Sequence, residues 1–581
     1  MKLWKPGKNK EEGDEVLAQQ QNQNVKQKMD DGDGKQSSET ADDSLRASDT
    51  AEKTEANDTA EGTGAQATEE NEDKYPKGWT LTLLFTALCL GVFLTSLDNS
   101  ILATAIPKIT DNFHSLNDVS WYASAYLLTS CAFQPTLGRV YSVFSVKWTF
   151  LISLAVFEIG SAICGAAPSS LALIVGRAVA GCGSSGIFSG GLTILGFSVP
   201  LRKRPIFVGI FSAMFGLASV LGPILGGAFT DSYLTWRWCF YINLPLGGVA
   251  LLLIIFFFKP PVREAEKLSF KEKMKRMDFI GASLLVPGVV CLLLALQWGG
   301  TKFLWRSPQI IGLLCGFAGI ILIFIAVQFY VGEKATLPIR LLRQRTVACA
   351  SIYVFFVGFA LFILVFFLPI YFQSVQGSSA IKSAYQNLAL LLGVTVMTIL
   401  SGVGATLLGY TVPFMVFGSV LFTIGCGLVH TLTVGSPTRE WIGYQLLAAF
   451  GAGFGLTLPV IAVQSVVPTE DIPVGSALVA FSQLLGGALS VAIAQNVFFN
   501  SLTSNLLPLG ISAAQLQAAG ASNLAKSVPA HLLPAVLQQY ANALQATFIV
   551  PIAGAAAAFL VSFGIEWVNI KGKKMDMTAA A

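Results

Sequence analysis

The sequence predicts an all-α polytopic membrane protein of two six-helix bundles plus two inserted helices, about fourteen transmembrane helices in all. Three observations predict it. Only 12% of the 581 residues are charged and 53% are hydrophobic, whereas a soluble chain carries about 25% charged residues. Apolar runs of about 20 residues, the length that crosses a bilayer as a helix, recur from Trp79 almost to the end. Short blocks of the first half also recur in the same order in the second. Backbone amides in lipid must be satisfied within their own segment, so helices are the expected spanning element.

Taken in order, residues 1–77 are rich in Glu, Asp, Gln, Lys, Ser and Thr and net acidic, which predicts a disordered cytosolic tail. No apolar run of signal-peptide type is found in it, so the first membrane helix is expected to start insertion. The first bundle, 78–259, comprises spans at Trp79–Asn99, Ser120–Arg139, Trp148–Ala167, Leu171–Gly191, Pro205–Phe229 and Phe240–Phe258. An inserted segment, 260–345, carries Asp278–Trp298 and Gln309–Val331 between cytosolic flanks. The second bundle, 346–568, comprises Thr346–Phe372, Ala384–Gly404, Val412–His430, Trp441–Gln464, Pro473–Val497 and Ala546–Trp567. Its last loop, 498–545, is the one long external loop and holds no glycosylation sequon, and 569–581 form a short cytosolic tail.

Basic residues fall on one side. Arg202, Lys203 and Arg204, then Lys259 through Arg276, then Arg340, Arg343 and Arg345, and finally Lys571, Lys573 and Lys574 all follow even-numbered spans. The positive-inside rule then places both termini in the cytosol.

Three registers carry the repeat. Gly138 and the nine residues after it align with the block from Gly402; Gly181-Cys-Gly aligns with Gly451-Ala-Gly; Ile224-Leu-Gly-Gly-Ala aligns with Leu484-Leu-Gly-Gly-Ala. In these registers Arg177 corresponds to Leu447, Glu158 to Phe422 and Pro223 to Gln483. The membrane-embedded charges therefore belong to the first half, which predicts ion coupling there and a substrate cavity shaped mainly by the second half, with substrate bound between two such halves.

Arg177 lies within Leu171–Gly191. A guanidinium in hydrocarbon costs about 2.5–3.5 kcal/mol on insertion scales, so a functional role is the default reading; the competing one is a helix-end Arg that snorkels to the headgroups. Gly181, Gly183 and Gly186 follow it and permit close helix approach. Asp98 falls late in span one, where desolvation favours the neutral acid that proton coupling requires; a helix cap or a water contact is the alternative. Glu158 sits near the middle of span three, and Arg177, about as far from the turn at Pro168, is its leading partner; a neutral Glu bonding a neighbouring helix is the alternative. On span five Pro223 is expected to kink the helix while Gly222, Gly226 and Gly227 allow close packing. Asn99, Gln134, Gln373, Asn387, Gln464, Gln483 and Gln495 are the polar span residues from which a substrate cavity would be lined, unless they tie helices together.

Nine scattered cysteines without paired spacing read as small core residues, and three histidines make a metal site unexpected. The absence of a Walker phosphate loop, a hydrolytic elbow and a zinc motif argues against ATP drive and against an enzyme.

Asp98-Asn-Ser-Ile-Leu-Ala-Thr-Ala-Ile-Pro107, Gly176-Arg177 with Gly181 and Gly183, Gly222-Pro223 with Gly226-Gly227, Trp236-Arg-Trp-Cys-Phe-Tyr-Ile-Asn-Leu-Pro245 and Leu368-Pro-Ile-Tyr-Phe-Gln373 are the specific blocks. In them the chain, from Trp79 to Trp567, resembles the major facilitator superfamily, and within it the fungal fourteen-span drug:proton antiporters. The resemblance implies the major facilitator fold, proton coupling through Asp98 and Arg177, and an antiporter block on span five. It departs from the superfamily after span two, where Ser142 stands in place of an Asp and only Arg139 and Lys147 are basic, so no charged latch is expected at that inner gate beside Gly138 and Arg139. The resulting expectation is an exporter of small hydrophobic drugs, toxins or secondary metabolites, driven by protons without a cofactor. It is expected as a monomer in the plasma or vacuolar membrane, in contact with lipid and not with nucleic acid. A siderophore or nutrient permease and a non-transporting receptor of transporter fold are the alternatives.

Overall fold

The computed structural model describes residues 75–115, 118–230, 232–260, 263, 267–300, 303–509 and 531–571. The predicted disordered tail up to residue 74 and residues 572–581 lie outside the described residues. The described residues contain no strand and build fourteen helices of membrane length. These are α1 (Gly78–Phe113), α2 (Val119–Val143), α3 (Val146–Ala166), α4 (Ser170–Ser198), α5 (Arg204–Thr230), α6 (Trp238–Phe257, with a break in the helix at Ile242) and the pair α7 (Phe279–Trp298) and α8 (Pro308–Val331). They continue as α9 (Arg345–Ser374), α10 (Ala380–Leu408), α11 (Val412–His430), α12 (Thr438–Val466, broken at Thr457), α13 (Ile472–Leu506) and α14 (Leu533–Ser562).

Thirteen of these are apolar enough to qualify as candidate membrane spans, and α2 is the one that does not. Its Ser124, Thr129, Ser130, Gln134 and Thr136 dilute the hydropathy, and its inner face is packed against α4 and α13. Two helix ends differ from expectation. α1 runs fourteen residues beyond Asn99 to Phe113, straight through Pro107. α13 and α14 run beyond the expected span ends, so the external loop expected at 498–545 shrinks to the stretch between Leu509 and Leu533, of which 510–530 lie outside the described residues. Phe498 on α13 and Tyr540 on α14 hold these extensions together, ring centroids 5.2 Å apart.

The helices pack by glycine. A Cβ on Gly160 of α3 would overlap the backbone of Ala180 on α4, and one on Gly183 would overlap Phe157. Small residues of this kind let helix backbones approach where lipid supplies no hydrophobic drive between helices. The same contact recurs in the second half: Gly425 of α11 meets Ala448 of α12, and Gly451 meets Phe422. Gly138 at the end of α2 sits against Pro473, Val474 and Ala477 at the start of α13, while Gly402 at the end of α10 sits against Pro205 and Ile206 at the start of α5. Two seams, α2·α13 and α5·α10, therefore mirror each other, and the Gly138–Gly402 register stands.

The other two registers shift. The shared contacts pair Gly183 with Gly451 and Phe157 with Phe422. They place Gln445, not Leu447, where the first half has Arg177, and Thr423, not Phe422, where it has Glu158. Measured from the equivalent Pro205 and Pro473, Gly486 lies about two turns nearer its helix start than Gly226 does, so Gln483 is not the counterpart of Pro223. Short identities align several ways along a small-residue helix; backbone contacts align one way.

The pair α7–α8 lies over the α2·α13 seam. Leu285 and Val289 of α7 and Phe324 of α8 share a core with Cys131 and Ala132 of α2 and Phe481 of α13. On the face away from the basic loops, Gln297 donates to Ser124 (2.5 Å) and Trp305 Nε1 donates to Asn496 (3.1 Å). On the basic face, the Asp278 carboxylate accepts from Gly281 N, Gln328 Nε2, Thr336 N and Thr336 Oγ1, which fixes the start of α7 to the end of α8. Arg139 Nη2 donates to the carbonyls of Arg276 (3.2 Å) and Glu333 (3.1 Å), and Arg340 pairs with Asp471 (2.8 Å) and Glu333 (3.1 Å).

Candidate functional site

Arg177 is fully buried and does not snorkel. It stands two turns inside α4, about 10 Å from the helix start. Ser169, Ser170 and Asp118 set that start: Ser169 caps α4 by accepting from Ala172 N, and Ser170 donates to Asp118 (2.5 Å) and bonds Tyr122 (2.8 Å). The carbonyl of Tyr122 then accepts from Arg177 Nε at 2.8 Å, and the guanidinium lies 4.4 Å from the centre of the Tyr126 ring.

The ion pair of this guanidinium is with Asp98, also fully buried: Arg177 Nη1 donates to Asp98 Oδ2 and, at 3.4 Å, to the Asp98 main-chain carbonyl. The partner expected from the α3–α4 turn, Glu158, is not the one used. Extension of α1 to Phe113 moves Asp98 from the end of a span into its interior, level with Arg177. Isolated buried charges are very costly, and a buried pair is tolerated only when further hydrogen bonds satisfy it. Asn243 on α6 supplies one: its Nδ2 reaches Asp98 Oδ1 at 3.2 Å and Ser161 Oγ of α3 at 3.1 Å. Asn243 is fully buried, and sequence reasoning assigned it no role. The available signal was a lone amide opening the apolar run of span six.

Glu158 lies three residues before Ser161, facing Gly247 of α6, where a Cβ would overlap its Oε1. It is 8% exposed, and neither of its carboxylate oxygens has a hydrogen-bond partner among the described residues.

On α5, Gly222 fits against Ser100 and Gly226 against Thr104 and Ile101 of α1, whereas Gly227 faces open space and needs no such fit. The helix is continuous through Pro223, and Ser100 Oγ donates to the Ala218 carbonyl (2.8 Å) near the amide that Pro223 lacks.

The polar residues proposed for a cavity divide. Gln134 is fully buried and donates to Ser189 of α4 (2.7 Å), binding helices rather than lining a cavity. Gln464 is likewise fully buried: it donates to Leu192 O (3.3 Å) and Ser476 Oγ (2.9 Å) and accepts from Arg204 (3.4 Å), so it clasps the basic ends of α4, α5, α12 and α13. Asn99 and Gln483 are half-buried, Gln373 reaches Ser383 (3.4 Å), and the Asn387 side-chain oxygen is buried without a partner. Gln376, Lys382, Gln386 and Trp441, none of them singled out from sequence, line a cavity of about 610 Å³ at the far face of the second half. Arg139, at the inner gate, rests on carbonyls rather than on a carboxylate, consistent with Ser142 in the Asp position. All nine cysteines are free, and the described residues hold no cluster able to bind a metal.

Twelve membrane-length helices in two glycine-packed, mirrored sets, a further pair laid over one seam, and a buried ion pair in one set only among the described residues define a polytopic membrane protein of the secondary-transporter class. The family model of the Major Facilitator Superfamily matches residues 88–491, and the chain belongs to that superfamily. It is 47% identical over 506 residues to "MFS-type efflux pump MFS1" of Arthroderma benhamiae, covering 87% of this chain and 94% of that protein. It is 44% identical over 498 residues to "Efflux pump aflT" of Aspergillus parasiticus, covering 85% and 97%. Among solved structures, the human organic anion transporter MFSD10 aligns with a TM-score of 0.52 at 14% identity, over 82% of this chain and 100% of that one, a likeness of fold.

Proposed function

We propose that this protein is a proton-coupled antiporter that exports small hydrophobic compounds, toxins or secondary metabolites among them. The observation that carries the reading is the buried Asp98–Arg177 pair, placed in the half whose counterpart positions are neutral. Fungal relatives matched over most of their length are efflux pumps by name, and they support export as the direction of transport. Proton arrival at Asp98 neutralises the acid and releases Arg177 from its ion pair; proton departure restores it. That gives the site two arrangements of different charge, which is what an alternating cycle requires. Asn99, Gln373, Asn387 and Gln483 are proposed to line the substrate path, with Gly138, Arg139, Gly222, Pro223 and Gly226 at the moving contacts. The halves are residues 78–259 and 346–568. Both termini are cytosolic, the membrane is the plasma membrane or the vacuole, and the protein works as a monomer without a cofactor.

The test uses the full chain in inside-out vesicles given an acidic interior, with uptake of a lipophilic dye as readout. Uptake that an ionophore abolishes, and that Asp98→Asn lowers at least tenfold, is the expected result. Uptake equal with and without the gradient would overturn antiport, and uptake only with the gradient reversed would favour a permease.

A further inference from the structure

One amide ties Asp98 to the helix that carries the second acid of the first half, Glu158. Asn243 Nδ2 donates both to Asp98 Oδ1 (3.2 Å) and to Ser161 Oγ (3.1 Å). One turn toward the basic face on each of the same two helices lie Glu158, before Ser161 on α3, and Gly247, after Asn243 on α6, about 5 Å along the axis. The two helices thus carry a ladder of two rungs, Ser161–Asn243 and Glu158–Gly247, with Asp98 at the first. A Cβ at 247 would displace the Glu158 carboxyl from its place against α6.

The Glu158 carboxyl is buried with no donor, cation or hydroxyl on either oxygen among the described residues. A carboxylate in that position is strongly unfavourable, whereas a neutral acid is tolerated. A purely structural acid would be expected to bond a neighbouring helix, and this one does not. The charged and titratable groups facing the ladder are Asp98 from α1, Tyr126 from α2, Cys164 from α3, Arg177 from α4 and Cys239 from α6. Arg177 pairs with Asp98 through Nη1, and its Nη2 is buried without a hydrogen-bond partner among the described residues.

From this placement we infer that Glu158 is a second proton station, one helical turn closer to the basic face than Asp98, and that Asn243 is the positioning residue connecting them. The step is a proton transfer that conserves charge. The Asp98 carboxyl loses its proton and returns to the ion pair with Arg177, and the Glu158 carboxylate gains that proton. Asn243 holds Asp98 Oδ1 toward Ser161 so that the transfer runs along the α3–α6 ladder. This deepens the antiport reading above and rests on it.

The experiment compares two rates in proteoliposomes of the full chain: gradient-driven uptake of a lipophilic dye, and dye–dye exchange at equal pH, which needs no net proton movement. Glu158→Gln is expected to lower the ratio of driven uptake to exchange about tenfold, with Glu158→Asp recovering part of it. It is also expected to reduce the protons released per protein when dye is added in detergent, read by a pH indicator. Asn243→Ala is expected to lower the same ratio, and Asn243→Gln to recover part of it. A wild-type ratio in Glu158→Gln, or an equal fall of both rates with unchanged proton release, would overturn the relay. If the wild-type protein shows no gradient-driven uptake at all, antiport itself falls, which is a separate outcome.

Discussion

The α3·α4 interface of the first half and the α11·α12 interface of the second are built alike and used differently. In both, a glycine on the first helix lies on an alanine of the second, Gly160 on Ala180 and Gly425 on Ala448. In both, a glycine one turn on lies against a phenylalanine backbone, Gly183 on Phe157 and Gly451 on Phe422. In the first, the helices position Arg177 and Glu158. At the matching places the second half has Gln445, which bonds the Trp441 carbonyl of its own helix (3.1 Å), and Thr423, which bonds Ser419 O (2.8 Å). Packing is the shared inheritance of the two halves, and charge is what separates them. The comparison also shows why a repeat is read better from what each glycine touches than from which short words recur.

The largest expected effect breaks the asymmetry. Removing one member of a buried ion pair costs about 3–5 kcal/mol, equivalent to a hundredfold or more. Arg177→Ala should therefore abolish gradient-driven dye uptake and lower the thermal midpoint. Gln445→Leu, which loses one neutral bond worth about 1 kcal/mol, should keep uptake within about threefold. Equal losses at the two positions would mean that the halves share the coupling.

The next test concerns packing. Gly160→Val and Gly425→Val each force a side chain into a helix backbone, and overpacking of this kind costs about 1–3 kcal/mol. Both should lower the thermal midpoint by similar amounts in a detergent unfolding assay. A loss confined to one half would show that the likeness of the interfaces is only geometric. The smallest effect belongs to Asp471→Asn. Its partner Arg340 is 44% exposed, and exposed pairs contribute about 0–1 kcal/mol. The thermal midpoint should move by no more than a few degrees, and a larger shift would identify the basic-face contacts of the α7–α8 pair as a main support of the fold.

The fold and the cost of Arg177 were legible because each follows from local composition: a charge amid twenty apolar residues declares itself. Its partner was not legible. Proximity along the chain favours Glu158, on the adjacent helix across the turn at Pro168, whereas Asp98 arrives from α1, distant in sequence, and its depth depends on α1 continuing through Pro107. Gln134 and Gln464 look like cavity residues in sequence because an amide in a span always suggests one; only their bonds to Ser189, Leu192 and Ser476 reveal clasps. Asn243 was hidden for the opposite reason, being a single polar residue at the edge of a run that otherwise reads as lipid anchor.

The placement of α7 and α8 has an effect in the plane of the membrane. They cover the α2·α13 seam from one face to the other, while the mirrored α5·α10 seam is flanked by exposed Phe215, Leu217, Ile224, Leu392, Val396 and Leu400. Acyl chains wet one of two otherwise equivalent boundaries and are kept off the other. The two otherwise equivalent seams therefore present different outer surfaces, one covered by a helix pair and one bordered by exposed apolar side chains.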